Sequence, residues 1–188
     1  MIVLIFYGFF LFLFVIGLLW ILIPAFYGPP SHPTHPDRIR RALKFANLQP
    51  DEILYDLGAG DGRVLLIAAQ EFGAKPVGVE VGLVQYALIR LRIAASGLDD
   101  KIQLKWEDYF KTDLTQADVV FLYATSREAT RLAPLLERQM KLDSRLISIS
   151  ADFPGWEPAQ FDNRNLIFIY VMPPQRGNLT TYLLKQDS

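Results

Sequence analysis

Tyr55-Asp56-Leu57-Gly58-Ala59-Gly60-Asp61-Gly62-Arg63 is the stretch whose reading decides the fold. Upstream, Ile53-Leu54-Tyr55 is a short apolar run of the kind that forms a buried parallel strand. Downstream, Val64, Leu65, Ile67, Ala68 and Phe72 recur at helical spacing, and Gly73 can end that helix. The three glycines thus fall between a strand and a helix, the setting in which a Gly-rich loop can cradle a nucleotide-type ligand.

Without Cβ atoms, Gly58, Gly60 and Gly62 let the backbone turn sharply and let a ligand come close. Their spacing is G-x-G-x-G rather than the G-x-G-x-x-G of dinucleotide binders, and Asp56 and Asp61 flank them. Carboxylates there would repel a pyrophosphate. They suit a ligand that combines a cationic amine with ribose hydroxyls, as S-adenosylmethionine does. Val77-Gly78-Val79-Glu80 reads as the next strand, and it ends in an acid about twenty residues after the loop, where an acid can accept two ribose hydroxyls. The plainer alternative is a loop that only turns the chain, with Glu80 a solvated strand end. Strand, loop, helix and distal acid together favour the ligand cradle.

At 188 residues the chain suits one globular domain with a short extension. Apolar residues make up 51% of it but are unevenly placed, because all 19 basic and 20 acidic side chains lie beyond Pro36. A net charge of −1 gives no general attraction to nucleic acid. Cysteine is absent, which removes disulfides, thiolate metal sites and cysteine nucleophiles.

Ile2 to Ile23 carries no charge and is rich in Phe, Leu and Ile. As a helix it would be roughly 33 Å long, against a hydrocarbon core of about 30 Å. Tyr7, Trp20 and Tyr27 lie toward its ends, where aromatic belts form. A cleaved signal peptide would have a basic start, a shorter apolar core and an A-x-A site, and none of these is present. The expectation is a single membrane span over residues 1–24. Arg38, Arg40, Arg41 and Lys44 follow it closely, which predicts that the globular part lies on the cytoplasmic side. Those four side chains fit both an anionic lipid surface and the solvated face of a helix.

Residues 25–36, including Gly28-Pro29-Pro30-Ser31-His32-Pro33-Thr34-His35-Pro36, read as a rigid connector, and Thr34 can cap the helix expected from Asp37 to Asn47. His32 and His35 lack a third ligand, so no metal is expected. A longer helix is predicted from Leu83 to Ser96, with Val84, Leu88, Leu91 and Ala95 on its apolar side and Gly97 as its stop. Strands are expected at 102–106, 119–123 and 145–150. Ser126 can cap a helix toward Lys141 that Pro134 should kink or split. Leu166 to Val171 and Leu179 to Leu184, around a Pro/Gly turn, read as a terminal hairpin.

Alternating strands and helices imply a parallel sheet covered on both faces, with ligands bound at the carboxyl ends of the strands. Asp56, Glu80, Asp108, Tyr123 and Ser150 all fall at or just past such ends. The expected fold class is α/β, a Rossmann-like sheet of seven strands with a terminal antiparallel hairpin over residues 37–188.

These residues resemble a class I S-adenosylmethionine-dependent methyltransferase. Asp56 to Gly62 resembles that superfamily's first motif, Glu80 its ribose-binding acid, and Glu107-Asp108 its adenine-edge position. A narrower resemblance is to the small membrane-anchored protein-lysine methyltransferases, which include the one acting on the ATP synthase c-subunit. Gly28, Pro30, Pro33 and Thr34 match that family's loop before the first helix, while Ser31 stands where an aromatic residue is common. Asp152-Phe153-Pro154-Gly155-Trp156-Glu157-Pro158 is similar to its Phe-Pro-x-Trp-x-Pro segment.

The resemblance implies S-adenosylmethionine held by Asp56, Gly58, Ala59, Gly60, Asp61 and Gly62 at the methionine end, by Glu80 at the ribose and by Asp108 at the adenine. Thr34 would either close over the methionine carboxylate or cap its helix. Tyr123, Phe153 and Trp156 would either line an acceptor slot, where aromatic faces hold a lysine or its methylated cation, or serve as packing. No Ser/His/Asp constellation is needed, because an activated methyl donor asks mainly for proximity and orientation. The implied activity is methylation of a lysine on a membrane or membrane-adjacent protein. A lipid or small hydrophobic acceptor, and a non-catalytic binding module of the same fold, are the alternatives.

Overall fold

A computed structural model describes residues 2–27 and 34–186, and within the first helix it describes the side chains of residues 6–18. The chain divides into two compact units, Met1–His32 and Pro33–Ser188.

The first unit is the helix α1 (Ile2–Tyr27), which has no acidic residue in its first turn and no basic residue in its last. The helix expected over residues 2–23 is therefore present, but its crossing of a membrane is not shown. Among the described residues no helix is long and apolar enough to cross one. Helix α1 also takes in residues 25–27, so the connector is shorter than expected. Residues 28–33, with Ser31 and His32, lie outside the described residues, as do the side chains of Trp20 and Tyr27.

The second unit alternates as its sequence periods dictate. In order come α2 (Pro36–Phe45), β1 (Ile53–Leu57), α3 (Arg63–Glu71), β2 (Lys75–Glu80), α4 (Leu83–Ser96), β3 (Gln103–Trp106), β4 (Val119–Tyr123), α5 (Ser126–Gln139) and β5 (Arg145–Ile149). The chain closes with β6 (Trp156–Glu157), β7 (Gln160–Asp162), β8 (Ile167–Val171), β9 (Gln175–Arg176) and α6 (Leu179–Gln186). One seven-stranded sheet runs in the order β3-β2-β1-β4-β5-β8-β7. Strands β1 to β5 are parallel, while β8 is antiparallel to both β5 and β7.

Alternation along each strand divides the core. Leu54, Val119, Phe121, Ile147, Ile149, Ile167 and Ile169 face one way, toward Ile39 and Leu43 of α2 and Val64 and Ala68 of α3. Tyr55, Val120, Leu122, Leu146, Phe168 and Tyr170 face the other, toward Leu132 and Leu136 of α5. Gly78 is needed for close packing of α3 on β2, since a Cβ there would lie 2.5 Å from Leu65 Cδ1 and 2.8 Å from Leu104 Cδ1.

Several expectations need correction. The antiparallel hairpin is β7–β8, not a pairing of residues 166–171 with 179–184. Its turn is closed by Asp162 Oδ1, which accepts from Arg164 N at 3.0 Å and Asn165 N at 3.2 Å. Residues 179–184 instead begin the helix α6, because Asn178 Oδ1 accepts from Thr181 N at 2.9 Å and caps it. Helix α5 runs through Pro134 as one element, and its cap is Thr125 rather than Ser126, in a reciprocal box with Glu128. Helix α4 begins and ends where expected, but Ile89 and Ile93 face the core; Val84, Leu88 and Leu91 are exposed.

Candidate cofactor site

The parallel register sets Asp56 of β1 opposite Gly78 of β2 and Phe121 of β4. Asp56 is buried, and its Oδ2 has no hydrogen-bond partner among the described residues. Burial, with the charges of Glu80 and Asp61 nearby, pushes its carboxyl up to about 8. A buried polar atom without a partner is costly in a folded protein, so this oxygen is set to receive a donor or a positive charge.

Beyond β1 the loop takes left-handed backbone at Gly58 (φ 91°), Gly60 (φ 59°) and Gly62 (φ 78°), where a side chain would be strained. Gly58 N and Ala59 N both donate to Val79 O, at 3.0 and 2.9 Å, which holds the loop against the end of β2. The Glu80 carboxylate then joins two loops: Oε2 accepts from Gly60 N at 2.9 Å and Oε1 from Gly82 N at 2.8 Å. Each carboxylate oxygen keeps a further lone pair, so Glu80 can still receive ribose hydroxyls. Gly82 escaped the sequence reading. A Cβ there would sit 3.1 Å from Glu80 Oε1, which nothing in the local sequence announces.

Asp61 is placed differently from its expected role. Its carboxylate meets Arg63 Nη2 at 2.5 Å and Arg92 Nη1 at 3.2 Å. Burial works against its charge, but the Arg63 hydrogen bonds prevail and hold the carboxyl below the usual range. Two guanidiniums therefore match Asp61, while Asp56 remains the acid with unmet capacity. Arg63 also donates from Nη1 to Thr34 O at 2.9 Å, bringing Thr34 to the loop. The helix cap that Thr34 could have supplied comes from His35, whose Nδ1 accepts from Asp37 N at 3.4 Å. Among the described residues no group of three or more His, Cys, Asp or Glu side chains could hold a metal ion.

At the end of β3, Glu107 N donates to Glu80 O at 3.2 Å, so the pair expected at the adenine edge stands beside the acid expected at the ribose. Asp108 is half-buried and its Oδ1 accepts from Phe110 N at 3.0 Å, which caps a short 3-10 turn at Tyr109–Lys111. Tyr123 ends β4 and is 44% exposed.

Phe153 and Trp156 do not join Tyr123 in an open slot. They are 1% and 2% exposed, stacked on each other at 4.8 Å and packed edge-on against Tyr170. Trp156 Nε1 donates to Glu137 Oε1 at 2.8 Å, and Phe153 N donates to the Tyr170 hydroxyl at 2.9 Å. Aromatic residues in a loop read equally as slot or core, and here packing takes them. Arg38, basic in sequence, also has a structural place. It donates to Asn165 O at 2.8 Å and Ser150 Oγ at 3.0 Å, fastening α2 to the end of β5.

A parallel core in this strand order, closed by an antiparallel pair and opened at its strand ends by a glycine loop between two acids, defines a class I S-adenosylmethionine-dependent methyltransferase. Residues 56–160 match the ANTKMT methyltransferase domain family, and the chain belongs to it. The chain is 29% identical to a protein-lysine N-methyltransferase of Saccharolobus islandicus over 150 residues, covering 76% of this chain and 93% of the relative. It is 30% identical to the mouse lysine N-methyltransferase of the ATP synthase c-subunit over 128 residues, 66% of this chain, and spans about half (51%) of that relative's length. Among solved structures, an RNA methyltransferase from Salinibacter ruber in complex with S-adenosyl-L-homocysteine superposes with a TM-score of 0.73. That match is 28% identical and covers 77% of this chain and 96% of the other.

The residues present fit S-adenosylmethionine. Asp56 offers an unpartnered carboxylate oxygen to a cation, the loop backbone allows close approach, and Glu80 is placed for hydroxyls.

Proposed function

We propose that this methyltransferase is a membrane-anchored protein-lysine N-methyltransferase whose globular unit lies on the cytoplasmic side. The observation that carries the cofactor half is the buried, unpartnered oxygen of Asp56 at the foot of the glycine loop. S-adenosylmethionine, when bound, supplies an activated methyl group that a nucleophile takes by in-line displacement. Asp56 would balance its positive charge in a water-poor setting, where such a pairing counts for more than in water. Glu80 fixes the loops after β1 and β2 to each other and so presets the ribose position.

The acceptor half rests on the names of the Saccharolobus and mouse relatives, both lysine N-methyltransferases. A lysine acceptor must reach the methyl group uncharged, which a pocket at the strand ends favours by limiting water. Tyr123 is the expected aromatic residue that stays accessible there. The anchor is supported by the 26-residue helix α1, which contains no charged residue, and by the basic run beginning at Arg38.

Incubating the vesicle-reconstituted full chain with methyl-labelled donor and a membrane fraction tests both halves. Label on lysine of a protein, with the enzyme retained in the pellet after alkaline extraction, is the expected result. Label that follows lipid or RNA would overturn the acceptor, and release into the supernatant would overturn the anchor.

A further inference from the structure

Helix α4 has two apolar sides, and only one is used. Ile89 and Ile93 are 0% exposed and pack in the core with Leu65 and Ala69 of α3. Val84, Leu88, Leu91 and Ala95, spaced four, three and four residues apart, share the opposite side. Val84 is 44% exposed, Leu88 50% and Leu91 67%, and Leu83 beside them is 58% exposed. Trp106, at the end of the edge strand β3, is 59% exposed and lies 6.4 Å from Tyr86 of α4. Large apolar side chains exposed repeatedly along one side of a helix mark a contact site rather than ordinary surface.

Charge indicates the occupant. No acidic residue lies between Leu83 and Ser96, while Arg90 and Arg92 flank the apolar strip on its two sides. Arg92 pairs with Asp61 yet keeps 53% of its side chain exposed. Downstream, the next acids, Asp99 and Asp100, follow the left-handed turn at Gly97 that ends the helix, and upstream Glu80 is turned to the Gly60 and Gly82 amides. Apolar side chains bordered by arginine, with a tryptophan at the edge, are the features of a helix lying in a lipid interface.

We propose that α4 docks on an anionic bilayer surface, with Leu83, Val84, Leu88 and Leu91 in the headgroup–acyl boundary and Arg90 against lipid phosphate. The first turn of α4 follows Gly82 and Glu80, so this contact would hold the mouth of the cofactor site at the membrane. It goes beyond anchoring by α1 and can stand or fall separately.

Because the chain has no cysteine, Leu91→Cys in the full chain gives a single site for an environment-sensitive fluorophore, with Leu142→Cys as a comparison. Leu142, 73% exposed, lies in the turn before β5, at the opposite end of the strands. Unchanged heat of S-adenosylhomocysteine binding checks the fold of each variant. With phosphatidylcholine vesicles containing phosphatidylglycerol, emission at 91 should shift to the blue and lose most of its iodide quenching. Position 142 should not change, and adding Arg90→Glu should abolish the effect at 91. No shift at 91 in a chain that sediments with the vesicles would overturn the proposal while leaving the α1 anchor intact. An equal shift on pure phosphatidylcholine would overturn the anionic recognition. A shift without lipid that grows with protein concentration would assign the surface to a second copy of the chain.

Discussion

Asp56 is an acid on a strand that the sequence marks as buried, and its environment makes its charge conditional. Burial, then Glu80 and Asp61, raise its carboxyl from 3.8 to about 8. Between those values the folded state holds a proton that the unfolded state has lost. The stability of the ligand-free protein should therefore fall as pH rises through that window. A cationic ligand reverses the preference and draws the proton off. Affinity for S-adenosylmethionine should rise by up to about tenfold per pH unit toward pH 8 and then level off. Calorimetry in buffers of different protonation enthalpy should register proton release, and Asp56→Asn should flatten the profile. A native profile that is already flat would remove Asp56 from the role. Asp61 shows why sequence could not rank the two acids. Both flank the glycines, and only folding brings Arg92, 31 residues away, to Asp61.

At the scale of elements, the segment after β5 illustrates how aromatic residues divide between contact and packing. Phe153, Trp156 and Tyr170 form one buried cluster, and the Trp156 indole is tied to Glu137 of α5. Trp156→Ala should therefore cost about 3–5 kcal/mol of stability, read from urea unfolding. Tyr123→Phe, at a partly exposed position, should leave the urea midpoint where it is. A Trp156→Ala protein of native stability with a raised acceptor KM would restore the slot. Periodicity found the bounds of α4 correctly because Gly97 stops it and the apolar residues recur at helical spacing. It could not say which of two apolar sides meets the sheet. Residues 179–184 differ for a related reason: Thr180, Thr181 and Tyr182 favour a pleated surface, but only where a strand edge is available to pair with them, while the leucines around them favour a helix. The β8 edge is already taken by β7.

At the scale of the whole molecule, the proposed anchor and the candidate cofactor site fall in different compact units. A chain beginning at Pro33 keeps every hydrogen bond described around the candidate cofactor site, since all lie between Thr34 and Phe110. Its affinity for S-adenosylhomocysteine should stay within about twofold of the full chain, because no charge-assisted hydrogen bond is lost. Labelling of a membrane-embedded acceptor should fall by about tenfold or more, because tethering raises the effective concentration of enzyme at the membrane. Equal labelling by both chains would show that α1 contributes nothing to acceptor encounter.

The parallel sheet, the glycine loop and the acid at the end of β2 were legible from the sequence, because they depend on short-range period and on backbone freedom that only glycine has. Pairing Asp61 with Arg92, burying Phe153 and Trp156 and leaving one side of α4 bare were decided by the tertiary structure. Each depends on which distant residue arrives as a neighbour, and local periodicity holds no information about that.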